Sequence, residues 1–126
     1  MQQIVLFTAG VFGTLAIILG AFGAHAFKKI LVEEKLTSFE VGVRYQMYAA
    51  LVLLIIGYNG NFTESYIDWA YYGISGGTIL FSGSIYLLSF ADYWKVNLKF
   101  LGPITPLGGL LLIVGWIALM VSFCSL

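Results

Sequence analysis

The polar residues that could do chemistry are few, and most of them fall in two short stretches of an otherwise apolar chain. One stretch ends at the single histidine and is followed by two lysines. The other begins at an arginine and continues through two tyrosines and a glutamine. The candidate site residues are His25, Lys28, Lys29, Arg44, Tyr45, Gln46 and Tyr48. A hairpin of two helices joined by one loop would bring both stretches to the same end of the molecule.

One interpretation of this cluster is structural. His25, Gln46 and the tyrosines would form a hydrogen-bonded clasp between the first two helices. Arg44 would pair with Glu40, which lies four residues earlier and on the same helix face. Polar groups within a membrane span usually face protein or water, and such a clasp satisfies that requirement.

Other interpretations of the same cluster stay open. Arg44, Lys28 and Lys29 would supply charge to an anionic lipid headgroup, with a hydrogen bond from His25 or Tyr45. Alternatively, His25 would titrate near neutral pH as part of a proton or substrate relay. A metal site is the weakest of these, because one histidine without nearby cysteine or convergent carboxylates is an insufficient ligand set.

No catalytic constellation accompanies the cluster. The sequence shows no nucleophile triad, Walker loop or paired carboxylates, and Asp68 and Asp92 lie at opposite ends of one predicted helix. Glycine-rich segments occur, but none has the strand–loop–helix context that phosphate binding needs. We therefore expect no catalytic residues, no metal and no cofactor.

The composition determines which elements must position these residues. Of 126 residues, 60% are hydrophobic and 10% are charged, whereas soluble domains average about 45–50% apolar and about 25% charged residues. Such a chain lacks the polar surface of a soluble enzyme, a nucleic-acid binder or a disordered linker. Zero net charge also gives no bulk field for nucleic acid. The composition predicts an integral membrane protein.

Four apolar runs are long enough to cross a bilayer, whose hydrocarbon layer of roughly 30 Å needs about 20 helical residues. Lipid leaves no partner for backbone groups except the helix itself, so the runs are predicted to be helices. The fold class is therefore all-α, a four-transmembrane-helix bundle in a single domain, 1–126. Thr37 and Glu40 resemble a capping box at the start of the second run. The predicted helices cover residues 4–27, 41–58, 69–91 and 101–125.

The basic residues predict the orientation. All six of them fall in or next to the first and third loops, and the second loop and both tails have none. Lysine and arginine near span ends stay cytoplasmic. Loops 28–40 and 92–100 are therefore predicted to be cytoplasmic, with both termini outside the cell membrane.

Glycine is abundant for a helical chain, with 15 residues. In membranes, glycines spaced four or seven residues apart let two helix backbones approach closely. Such stripes serve either packing within the bundle or self-association, and the pattern does not divide them between the two uses. The predicted helix-packing glycines are Gly13, Gly20, Gly73, Gly77, Gly83, Gly108 and Gly115.

Four ordered sequence blocks resemble a known family. They are GAFGAH at 20–25, RYQMY at 44–48, LFSGSIY at 80–86, and LGPITPLGG at 101–109 followed by GW at 115–116. Together they span nearly the whole chain and are similar to the small membrane-protein family catalogued as domain of unknown function 423. Its relatives include transmembrane protein 256 of animals.

The resemblance implies a four-helix membrane protein, commonly bacterial and in the cytoplasmic membrane. The family has no established activity and so supplies no catalytic residues. Ala49 follows Tyr48 where many members have a histidine. A histidine pair would be incomplete in this chain, which weakens the metal and relay interpretations.

The function expected from the sequence is that of a structural or accessory subunit, or a lipid-associated protein. Its partners would be membrane lipids, further copies of the chain or a larger membrane complex, but not nucleic acid. The alternative is a small oligomeric transporter or channel. That alternative requires a hydrated cavity lined by His25, Gln46 or Ser82.

The orientation is directly testable. Tags fused to either terminus are expected to report a location outside the cytoplasm, because no basic residue lies near those ends. Tags at both termini that report a cytoplasmic location would contradict this topology.

Overall fold

The computed structural model describes residues 1–124 and contains four long α-helices. They are α1 (Gln2–His25), α2 (Glu33–Asn59), α3 (Ser65–Trp94) and α4 (Ile104–Phe123). All four are long and apolar enough to cross a membrane, and the described residues contain no strand. The predicted fold class is confirmed. Ser125, in the predicted fourth helix, lies outside the described residues.

The helix ends differ from the hydropathy-based bounds, most of all in α2. This helix begins at Glu33 rather than at residue 41, because hydropathy detects only the segment that suits hydrocarbon. Glu33 and Glu34 in its first turn suit the positive end of the helix dipole. The predicted capping box is wrong, since Thr37 lies inside the helix and its hydroxyl donates to the Glu33 carbonyl at 2.9 Å. Most of the predicted loop 28–40 is therefore helical.

The other helices differ by a few residues. The first ends at His25 instead of 27, and Phe27–Lys29 forms a separate 3-10 turn. The third extends to Ser65–Trp94, and Lys95 ends it in the left-handed conformation with φ 58°, a common way to terminate a helix. The fourth begins at Ile104 after a 3-10 turn, Lys99–Leu101.

The helices pack in chain order. α1 packs along α2, α2 along α3, and α3 along α4, whereas α1 and α4 do not pack along each other. Helices α1 and α3 are also joined directly, by a hydrogen bond between the hydroxyls of Thr8 and Tyr71. Helices α1 and α4 are the outer members of the row, and both keep large apolar side chains exposed, as expected of surfaces that face lipid.

Glycines bring the backbones of α3 and α4 into contact. A Cβ at Gly77 would lie 2.7 Å from the Leu112 amide nitrogen, and a Cβ at Gly73 would lie 2.7 Å from the Cα of Gly115. Gly108 faces the Phe81 backbone in the same way. Four of the predicted packing glycines thus form one contact between two helices.

Of the other three predicted packing glycines, two lie at a helix contact and one does not. Gly13 and Gly20 face Ala50 and Val43 on α2, and a Cβ added to each glycine would lie 3.8 and 3.5 Å from those side chains. Gly83 was expected at a helix contact, and this is wrong, because a Cβ there would meet nothing within 4 Å. Position 83 therefore contacts neither α2 nor α4.

Two packing glycines were not predicted. A Cβ at Gly42 would lie 2.8 Å from the Tyr86 ring, and one at Gly57 would collide with the Leu6 side chain. Both lie on α2 and are 15 residues apart, so they form no stripe with the four- or seven-residue spacing that marks a packing face.

Alanine at Gly77 is expected to destabilise the protein by about 1–3 kcal/mol, because the added methyl group would force α3 and α4 apart. Alanine at Gly83 is the matched control. It adds the same group to the same helix in open space, and is expected to be neutral or stabilising by up to about 1 kcal/mol. Denaturant titration in mixed micelles measures both values, and equal stability of the two variants would contradict the close α3–α4 contact.

Candidate functional site

Gln46 lies at the centre of a buried polar clasp that joins three helices. Its amide nitrogen donates to the Phe12 carbonyl on α1 at 2.9 Å. Its amide oxygen accepts from the Tyr86 hydroxyl on α3 at 2.6 Å. The Gln46 residue is only 6% exposed. A second bond beside it runs from the Ser82 hydroxyl to the Gly42 carbonyl at 2.7 Å, so α2 and α3 are joined twice.

His25 takes no part in this clasp. Phe12 precedes it by 13 residues on α1, which corresponds to about 20 Å along the helix axis. His25 is exposed at the end of α1. The predicted clasp between His25 and Gln46 is therefore wrong, and the missing partner is Tyr86. The available signal was the pair Ser82 and Tyr86, two polar residues four apart on one face of an apolar span.

The predicted cations do not converge either. Lys28 and Lys29 are exposed in the 3-10 turn, while Arg44 is exposed on α2, 11 residues and about 16 Å beyond the start of the helix. Within residues 1–124, the predicted ion pair of Arg44 with Glu40 is not formed. Lys35 instead pairs with Asp92 at 4.0 Å, which links the ends of α2 and α3.

A cavity of about 430 Å³ lies beside Lys28, but its other polar lining residues do not favour an anion. Glu33 and Glu40 contribute two carboxylates to it, and like charges oppose binding of a phosphate group. Lys28, Lys29 and Arg44 therefore do not line one common pocket that could hold an anionic headgroup.

Tyr45 and Tyr48 take no part in the clasp and line a groove. Their rings pack at 5.6 Å from each other, and the Tyr45 ring lies 4.9 Å from that of Phe81 on α3. Both tyrosines are exposed. They form one end of the lateral groove, as we call the open space between α2 and α4.

The lateral groove consists of two cavities that lie end to end. One has a volume of about 750 Å³ and the other about 520 Å³, and Val52 and Trp116 line both. Side chains of α3, including Ile74 and Ile67, line it between the other two helices. The groove follows from the packing order, since α4 packs along α3 and not along α2. Its lining is almost entirely apolar, apart from the end near the α2–α3 loop.

That end carries polar side chains at the level of an aromatic belt. Asn59, Asn61 and Glu64 line the groove where it opens. Exposed aromatic residues surround the same end of the molecule, as is usual at a membrane–water interface. They are Tyr58, Tyr66, Trp69 and Tyr72.

The polar interior is satisfied within the chain. Among the described residues, every buried side-chain nitrogen and oxygen has a hydrogen-bond partner. Over residues 1–124, no three His, Cys, Asp or Glu side chains are grouped to hold a metal ion. The clasp residues are thus engaged in holding the helices together, and the groove is the feature left open to a ligand.

Comparison with known sequences connects this fold to a family. A family model described as "Protein of unknown function (DUF423)" matches residues 19–109, which is more than half of the chain. The chain belongs to this family. The resemblance inferred from its sequence blocks is confirmed, and the DUF423 match covers α2 and α3 completely.

Curated relatives of this chain are described as membrane proteins. The UPF0382 membrane protein of Staphylococcus aureus (strain bovine RF122 / ET3-1) is 42% identical over 86% of this chain and 84% of its own length. The UPF0382 membrane protein YwdK of Bacillus subtilis (strain 168) is 36% identical over 86% of this chain and 85% of its own. No solved structure matches.

The clasp predicts a specific stability effect. Tyr86→Phe removes the hydroxyl that donates to Gln46 and is expected to cost about 0.6–2 kcal/mol, the range for hydrogen bonds between membrane helices. Tyr48→Phe removes an exposed hydroxyl from the neighbouring helix and is expected to change little. In a double-mutant cycle, Tyr86→Phe should cost nothing further once Gln46 is leucine. Full additivity of the two substitutions would contradict the bond.

Proposed function

We propose that the protein is a non-enzymatic, lipid-associated accessory protein of the cytoplasmic membrane, and that its lateral groove holds a phospholipid acyl chain. The observation that carries the proposal is the groove itself. It lies within the membrane-spanning helices, is lined by apolar side chains and opens sideways. Acyl chains are the molecules that surround such an opening in a bilayer.

The dimensions of the groove suit an acyl chain. Its lining on α4 runs from Gly109 to Phe123, a distance of about 21 Å at the helical rise. One leaflet contributes about 15 Å to the hydrocarbon core, half of its total thickness. An acyl chain that enters the groove at its polar end therefore contacts apolar side chains over the full depth of its leaflet.

The outer helices support the accessory part of the proposal. Phe7 and Ile17 on α1, and Leu110 and Met120 on α4, are large apolar side chains with most of their surface exposed. In a row of helices these two flanks remain open for lipids, for another copy or for a larger membrane complex. The proposed orientation keeps the basic loops in the cytoplasm and both termini outside.

No observation favours the transporter alternative. It required a hydrated cavity lined by His25, Gln46 or Ser82. The two cavities of the groove are lined by none of these residues. Gln46 and Ser82 bond instead to groups on neighbouring helices.

Lipid retention tests the proposal. Ile113 lines the groove and is 54% exposed, whereas Leu110, three residues earlier and 60% exposed, does not line it. Ile113→Trp is expected to weaken lipid binding about tenfold, because the larger side chain would occupy part of the groove. A tenfold change corresponds to a loss of about 1.4 kcal/mol of apolar contact. Leu110→Trp, the matched control, should leave binding unchanged.

The measurement is native mass spectrometry of the protein released from mild detergent after equilibration with phospholipid. The wild-type chain and Leu110→Trp should each retain a lipid that Ile113→Trp largely loses. Equal retention by both tryptophan variants would show that the lipid sits elsewhere and would refute the groove as its site.

A further inference from the structure

The polar end of the groove carries a carboxylate without a partner. Glu64 precedes α3 and lines the cavity of about 520 Å³. Among residues 1–124, its side chain makes no ion pair and no hydrogen bond. Asn59 lines the same opening and uses its amide nitrogen on the Ile55 carbonyl at 3.1 Å. Its amide oxygen remains as a second acceptor.

No basic side chain offsets this charge. Between Arg44 and Lys95 the sequence contains no lysine, arginine or histidine, and α4 contains none. Met1 precedes α1 at the same end of the molecule, since the Gln2 amide donates to the Gly57 carbonyl at 2.8 Å. Neither Met1 nor any residue of α1 lines the groove. The opening is therefore rich in acceptors and negative in charge, while its continuation into the membrane is apolar.

We propose that the groove selects phospholipids whose headgroup carries a primary ammonium, with the ammonium bound by Glu64 and one acyl chain in the groove. This inference rests on the proposed function and adds the headgroup class to it. A primary ammonium has three N–H donors, and its bonds to a carboxylate are charge-assisted. The exposed aromatic residues Tyr66 and Trp69 place Glu64 at the depth of lipid headgroups.

The charge of Glu64 also disfavours two other classes of headgroup. An anionic headgroup without an ammonium brings a second negative charge to Glu64 and finds no cation at this opening. A quaternary ammonium keeps the positive charge but has no N–H to donate. Phosphatidylethanolamine should therefore bind best, phosphatidylcholine less well and phosphatidylglycerol least.

The test compares these three lipids, with identical acyl chains, on the full-length protein by native mass spectrometry. The wild-type chain is expected to retain phosphatidylethanolamine about fivefold better than phosphatidylglycerol, as one partly exposed ion pair would give. Glu64→Gln keeps the size of the side chain and should abolish that preference. Asp68→Asn removes a charge from the same end of α3 but from a residue that does not line the groove. This control should keep the preference.

The outcomes separate this inference from the proposed function. Equal retention of the three lipids by the wild-type chain, or the same loss of preference in both variants, would overturn the headgroup assignment. The groove would still stand if Ile113→Trp lowered the retention of every lipid. Failure to retain any lipid, or a dimer in place of bound lipid, would overturn both. Matched thermal unfolding of Glu64→Gln and wild type shows that the variant is folded.

Discussion

The contact between the α3 and α4 backbones is the interaction on which the open side of the molecule depends. Gly73 and Gly77 on α3 meet Gly108 and Gly115 on α4 with no side chain between them. Helix packing in lipid gains little from the hydrophobic effect, so this close approach is what holds α4 in place. Because α4 is held along α3 alone, it stands away from α2, and the lateral groove is the space between them.

The four helices were predictable because the bilayer imposes their length and composition. The glycines of the α3–α4 contact were predictable as packing residues, since they repeat at four- and seven-residue spacing on two helices. The spacing did not show that these two helices contact each other. The start of α2 was not predictable, because the segment Glu33–Glu40 contains four charged residues and carries no hydropathy signal. Gly42 and Gly57 were missed because they face individual side chains, Tyr86 and Ile85 for Gly42 and Leu6 for Gly57, and isolated glycines show no period.

The hydrogen-bond partners of Gln46 could not be predicted from the sequence. His25 and Gln46 are both polar residues near a predicted hairpin, yet they lie about 20 Å apart along the axis of α1. Gln46 lies 13 residues into α2, at the level of Phe12 on α1. Its second partner, Tyr86, comes from a helix beyond the hairpin. Which residue of α3 faces a given residue of α2 is set by tertiary packing, and helical periodicity alone does not contain it.

The proposed orientation and the proposed headgroup preference rest on the same distribution of charge in this chain. All six lysine and arginine residues, from which the cytoplasmic location of two loops is inferred, lie within residues 28–44 and 95–99. Confining them there leaves the other end of the molecule without lysine or arginine. At that end the partly buried Glu64 makes no ion pair with any of residues 1–124. For the lipid that we propose in the groove, its own headgroup is the nearest outside source of a cation for this carboxylate. The charge asymmetry from which the orientation is inferred is therefore also the basis of the proposed headgroup preference.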